Sequence, residues 1–191
     1  MQIRSRAIIL AARAHGEHGM IVRTLTDQAG LLSGYVRGGR SRRIRPILSV
    51  GNIVAAQFRA RTETQLASLE LELITSRAPL HSQALPVAAV EWVTALAAVT
   101  LPEGHPYPRI YDALDGVLVA VEAAPSARGW LPALERYEAL ILAELGYHDQ
   151  EAVGLVSNGH RLRANLLTGR RAEILPARDR LIDRIGRAMG R

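Results

Sequence analysis

The sequence predicts a multidomain α and β protein: an N-terminal five-stranded β-barrel over residues 1–77, then an α-helical C-terminal domain over residues 78–191. Three observations carry that expectation. The front of the chain is a succession of short apolar runs separated by turns every ten to fifteen residues, the pattern of a small closed sheet. Behind Arg77-Ala78-Pro79-Leu80 the apolar residues recur every three or four positions, the period of a helix. Charge divides at the same place. Residues 1–77 carry twelve arginines against five acids, a net +7, and residues 78–191 carry twelve against thirteen, a net −1.

The strands follow in order. Ala7-Ile8-Ile9-Leu10-Ala11-Ala12 is a short apolar run ending near Gly16. Met20 to Thr26 is the second, closed by a turn at Asp27-Gln28-Ala29-Gly30, and Leu31 to Val36 is the third. Asn52 to Phe58 forms the fourth. The fifth, Leu69-Glu70-Leu71-Glu72-Leu73, alternates with period two and so has one dry face and one wet. Five strands with one long basic loop between the third and fourth are compatible with an OB-fold; an SH3-like barrel would show much the same periodicity.

The helical half begins at Ser82, which can cap a helix running through Val99 with Val87, Val90, Val93 and Leu96 on one face. Leu101-Pro102-Glu103-Gly104-His105-Pro106 breaks it. Ile110, Leu114, Val117, Leu118 and Val121 mark a second helix, and Pro125 and Gly129 bound the next loop. Pro132 suits the first turn of a third helix, whose apolar face holds Leu134, Tyr137, Ile141 and Leu145, with Gly146 as its C-terminal cap. That helix sets Glu135, Arg136, Glu138 and Glu144 on its polar side, either a plain solvated face or a surface for a partner. Residues 147–175 are weakly patterned and read as a short irregular segment. Pro176 opens a last helix with Leu181, Ile185 and Met189 on one side.

Composition removes several function classes. Hydrophobic residues make up 48% of 191, enough for buried cores. Cysteine is absent, which excludes a disulfide framework and any cysteine-ligated metal. No signal-peptide core follows the charged start, and the longest apolar stretch, Val87–Leu101, is too short to span a bilayer, so a cytoplasmic protein is expected. There is no phosphate-binding glycine loop, metalloprotease helix or nucleophile elbow. His15-Gly16-Glu17-His18 offers two histidines and a glutamate as metal ligands, but in a hairpin turn with no third histidine nearby. Glu17 and Asp27 lack the acidic neighbours of a two-metal nuclease, and His81, His105, His148 and His160 are scattered. No enzyme, cofactor or metal is expected.

The positive signal is the stretch Val36-Arg37-Gly38-Gly39-Arg40-Ser41-Arg42-Arg43-Ile44-Arg45-Pro46. Its five arginines fall within nine residues, where average density would place about one. The net charge is +6 and every cation is arginine, a residue that binds phosphate through a planar fork of donors. Fixed charge on a flexible, glycine-bearing loop at a barrel rim is suited to a nucleic-acid backbone. Arg4, Arg6, Arg23, Arg59 and Arg61, on or beside the strands, extend the candidate patch. Only Tyr35 and Phe58 offer Phe, Tyr or Trp rings in the front half, and Phe58 reads equally as core. Binding is therefore expected to be mostly electrostatic and steeply salt-dependent. An RNA-binding barrel protein with a ribosomal or RNA-decay role is the alternative.

These residues also resemble a family. Arg6-Ala7-Ile8-Ile9-Leu10, Gly16-Glu17, Leu25-Thr26-Asp27-Gln28-Ala29-Gly30, the arginine stretch from Val36 to Arg43 and Leu69-Glu70-Leu71 agree in order and spacing with the bacterial recombination mediators of the RecO family. Leu134-Glu135-Arg136-Tyr137-Glu138 followed by Leu145-Gly146-Tyr147 is similar to that family's helix ending in Leu-Gly-Tyr or Leu-Gly-Phe. The resemblance implies an N-terminal OB domain with a helical domain behind it and a nucleoid-associated role in DNA repair. It implies binding of single- and double-stranded DNA, strand annealing, and loading of RecA onto DNA coated by single-strand-binding protein. It implies RecR and RecF as partners, and docking of the single-strand-binding protein's C-terminal tail on the helical domain, where Arg136 is the matching position. Many members carry a cysteine-ligated zinc element after Leu-Gly-Tyr. Gln150 to Pro176 has no cysteine to form one, and the chain ends earlier than is usual in the family.

Overall fold

The computed structural model describes residues 2–62, 65–124, 126–147 and 153–190; Pro125 and His148 lie outside them. The backbone forms two compact units, Met1–Pro79 with Pro102–Tyr111, and Leu80–Leu101 with Asp112–Arg191.

The first unit is a closed barrel of β1 (Gln2–His15), β2 (Gly19–Thr26), β3 (Gly30–Val36), β4 (Ile53–Arg59) and β5 (Ala67–Thr75). The strand order is β1-β2-β3-β5-β4, with β4 returning to β1, which is an OB-fold rather than an SH3-like barrel. Closure depends on the length of β1. Its first half pairs antiparallel with β4 from Gln2↔Arg59 to Ile8↔Ile53, and its second half pairs with β2 up to His15↔Gly19. A register shift between Ile9 and Ala11 bends the strand from one neighbour to the other. The strand is thus longer at both ends than its apolar run, because backbone pairing continues where the side chains turn polar.

Inward-facing Ala7, Ile9, Val22, Val36, Val54, Ala56, Phe58, Ala67 and Leu69 make the barrel core. The dry face expected of β5 fades along its length: Leu69 is 3% exposed and Leu73 is 39%. A register irregularity at Ile53/Val54 turns that end of the strand out of line. β3 and β5 run parallel and meet only at Gly34↔Ala67 and Tyr35↔Ser68. The free part of the β3 edge is covered by residues 102–105, where the Gly104 N–H donates to the Leu31 carbonyl at 2.9 Å. A Cβ on Gly30, at φ +73°, would lie 1.8 Å from the His105 carbonyl oxygen, so only glycine admits this strap. The segment that reads as a helix breaker therefore packs with the barrel.

The second unit holds α1 (Ala84–Thr100), most of α2 (Pro108–Ala123), α3 (Ala127–Glu144), α4 (Leu155–Arg161) and α5 (Leu175–Ala188). Val90, Trp92, Val93 and Leu96 of α1, Leu134, Tyr137 and Ile141 of α3 and Leu181 and Ile185 of α5 are buried. Ser82 is not the cap of α1. It ends a 3₁₀ turn over Ala78–Ser82, and the helix starts two residues later, which puts Pro86 in a first turn that needs no N–H. α3 begins five residues before Pro132, which sits inside the helix without its hydrogen bond; the early start buries Ala127 and Trp130. The stretch expected to be irregular contains α4, a π turn over Leu162–Leu166 and a 3₁₀ segment over Gly169–Ile174.

Candidate nucleic-acid interface

Residues 37–52 join β3 to β4, almost entirely as a run of consecutive turns and not as the flexible loop their glycines predict. Ser41 N–H donates to the Gly38 carbonyl, Arg45 N–H to Ser41 and Ile47 N–H to Ile44, each at 2.9 Å. Leu48 is 4% exposed in the barrel core, and Ile44 and Ile47 pack against the same cluster. Asn52 donates its side-chain amide to the carbonyls of Pro46 and Ile47. The two glycines have separate jobs. Gly38 takes φ +64°, and Gly39 lies so close to Met20 that a Cβ would meet its Cγ at 2.6 Å. With the apolar residues turned in, Arg37, Arg40, Arg42, Arg43 and Arg45 are all exposed. Among the described residues, none of the five forms an ion pair. Arg40 is anchored by its side chain, donating its Nη1 to the Glu17 carbonyl at 2.9 Å, and its backbone N–H donates to His18.

That contact joins the arginine segment to the β1–β2 turn. The other side of the same turn opens on a cleft of about 760 Å³ lined by His15, Tyr35, Arg59, Arg61, Leu66 and their neighbours. Tyr35 is half-buried and lies over Gly19, where a Cβ would be 2.2 Å from the ring. His15 meets it edge-on, with centroids 6.0 Å apart and planes at 79°. Arg59 and Arg61 are exposed on the wall formed by the β4–β5 connection. Arg59 Nη1 is 3.5 Å from Glu70 Oε1, an exposed pair that a stronger anion can displace. Phe58 is fully buried, so Tyr35 is the one Phe, Tyr or Trp ring that the barrel strands leave accessible.

The remaining candidates stand apart. Arg4 and Arg6 are exposed on the outer face of β1, opposite Gln57 and Ala55 of β4. Those two are in turn opposite Glu70 and Glu72 of β5, so this face carries both signs of charge. Arg23 is partly buried, with Nη2 3.4 Å from Glu103 Oε1, an oxygen that also accepts from Ser33. Its charge is balanced locally. The candidate cations therefore divide into an arginine segment with no ion pair among the described residues, a cleft with a ring, a mixed sheet face and the locally balanced Arg23. Sequence reading missed His15 and Leu66 as cleft residues; they lie on separate connections that meet only in the closed barrel.

Among the described residues, no three His, Cys, Asp or Glu side chains gather to hold a metal, and no helix is long and apolar enough to cross a membrane. On α3, Arg136 is exposed. Glu138, expected on the polar side, is fully buried and accepts from Trp92 Nε1 at 2.9 Å and from Arg178 at 2.9 and 3.0 Å. Glu135 turns toward α4 and accepts from the Leu155 N–H at 2.9 Å, capping that helix start.

Comparison with known proteins agrees with this architecture. The family model described as "Recombination protein O N terminal" matches residues 1–77, the barrel, and "Recombination protein O C terminal" matches residues 82–150. A relative from Gluconacetobacter diazotrophicus, named DNA repair protein RecO, is 36% identical over 177 residues, 91% of this chain and 65% of that protein. A namesake from Rhodospirillum rubrum is 42% identical over 147 residues, 74% of this chain and 58% of that one. Another, from Rhodospirillum centenum, is 36% identical over 184 residues, 92% of this chain and 72% of that one. The chain thus spans less than two thirds of the first two relatives. The barrel with its arginine segment and the helices ending in Leu-Gly-Tyr fall inside the matched regions, and the chain belongs to the RecO family.

Proposed function

We propose that this chain is a DNA repair and recombination mediator that binds single- and double-stranded DNA and carries out no catalytic step. The observation that carries the reading is the set of five exposed arginines on an ordered segment, none paired with a carboxylate among the described residues. Such a segment screens phosphate charge. Two backbones held against it repel one another less, which lets complementary bases meet and strands anneal. The names of the relatives support a role in DNA repair. Within that role the chain helps load RecA onto DNA coated by single-strand-binding protein. The tail of that protein docks on the helical unit near Arg136, and RecR and RecF act as further partners. The work takes place at the nucleoid, in the bacterial cytoplasm.

Replacing Arg42 and Arg43 with alanine is expected to weaken binding to all sequences alike. It should also reduce the slope of log affinity against log salt by about one to two units, close to one for each phosphate left without its arginine. Titration of fluorescent oligonucleotides over a range of salt measures this, and an unchanged slope removes the segment from the mechanism.

A further inference from the structure

We infer that the outer face of β1, β4 and β5 is a contact between two copies of this chain, in which Arg4 and Arg6 of one copy pair with Glu70 and Glu72 of the other. The inference does not depend on the reading of the chain as a DNA-binding protein, because none of these residues belongs to the arginine segment between β3 and β4.

Strand register orders the charges on this face. Arg4 is opposite Gln57, which is opposite Glu70; Arg6 is opposite Ala55, which is opposite Glu72. Both arginines, both glutamates and Ala55 are exposed. Each row therefore runs from a cation on β1 to an anion on β5, two strand spacings or roughly 10 Å away. A short neutral side chain separates the two, so they do not neutralise each other. Among the described residues, Arg4, Arg6 and Glu72 form no ion pair, and Glu70 meets Arg59 at 3.5 Å through one of its two oxygens.

A face built this way is its own complement. A second copy turned over about an axis along β4 lays its rows on those of the first with their ends exchanged. Arg4 then meets the partner's Glu70, Arg6 meets the partner's Glu72, and the symmetry repeats both pairs. Turning the copy about an axis across the strands would instead set arginine against arginine, so charge selects the first arrangement. Ala55 and Gln57 lie at the axis and are shorter than the arginines beside them, so β4 does not hold the charged rims apart. Exposed ion pairs are individually weak, which makes the contact a transient one that salt disrupts. Two copies held in this way carry two arginine segments, one for each of two nucleic-acid backbones.

The test is sedimentation equilibrium of the full chain over a range of protein concentrations at low salt. Wild-type protein is expected to rise from the mass of one chain, 20.8 kDa, toward twice that value. Its association should weaken by about tenfold or more as salt nears ~1 M, where the screening length is about 3 Å. Arg4→Glu/Arg6→Glu makes the face acidic throughout, Glu70→Arg/Glu72→Arg makes it basic throughout, and each variant alone should stay monomeric. Mixed in equal amounts the two should form a heterodimer, which also shows that both are folded. All four changes in one chain restore self-association. The inference is overturned if wild-type protein stays monomeric at every concentration, or if either double variant associates with itself as the wild type does. It is equally overturned if the wild type dimerises while the mixture of the two variants stays monomeric.

Discussion

Glu138 shows how one residue's environment is fixed by positions far along the chain. Its carboxylate is enclosed by α1, α3 and α5 and accepts from Trp92 on the first and Arg178 on the last. The guanidinium of Arg178 also donates to the Leu155 carbonyl at 2.6 Å and lies 5.8 Å from the Trp92 ring centroid. It fits only because residue 159 is glycine, where a Cβ would fall 2.5 Å from Nη1. An ion pair this deep adds little over a well-packed apolar pair, but removing one partner strands the other charge. Arg178→Met is therefore expected to cost about 3–5 kcal/mol, read from urea unfolding, and the double change Glu138→Leu/Arg178→Met should recover much of it. A single variant costing under about 1 kcal/mol would contradict this account. The position reads as solvated in the sequence because helical spacing reports which face is polar, and the buried partner lies forty residues downstream.

At the scale of elements, legibility followed local chemistry. Gly146 reads as a helix stop, and it takes φ +90° with its own N–H bonded to the Ala143 carbonyl and the Tyr147 N–H bonded to Leu142. This pair of bonds is a Schellman motif, so the Leu-Gly-Tyr signature is a structural ending for α3. Gly146→Ala should cost about 1–2 kcal/mol in thermal or urea unfolding, the strain of a Cβ in the left-handed region. The five strands were legible for the same reason, since alternation and turn residues act within a few positions. Ser82 and Pro132 misled because both were judged by local preference alone. The burial of Trp130 outweighed the hydrogen bond that Pro132 cannot make, and Pro86 suited a start at residue 84. α4 was missed because it is two turns long and its cap comes from Glu135, twenty residues away.

Across the whole molecule, the cleft was hidden from the sequence for a topological reason: His15, Tyr35 and Leu66 meet only because β3 runs parallel to β5 as the barrel closes. Composition was more informative about charge. With no lysine or cysteine, and with arginine charged throughout, tyrosine is the side chain left to titrate in mild alkali. Burial, reinforced by Glu138, pushes the Tyr137 phenol well above its ordinary value, and its hydroxyl donates to the Val93 carbonyl at 2.7 Å. The unfolded chain releases that proton near pH ~10 while the folded chain retains it, so alkali favours unfolding. Tyr137's contribution to stability is fully present below about pH 10 and is lost as pH rises above it. Urea midpoints measured across that range should fall for the wild type and fall less steeply for Tyr137→Phe, whose starting stability is lower. The fastening of Leu48 in the barrel has a further consequence. The backbone order of the arginine segment, on the order of 1–2 kcal/mol for each residue, is settled when the chain folds. In the proposed role, a phosphate backbone meets guanidinium groups carried on a main chain that is already ordered, with little of that chain left to organise on docking.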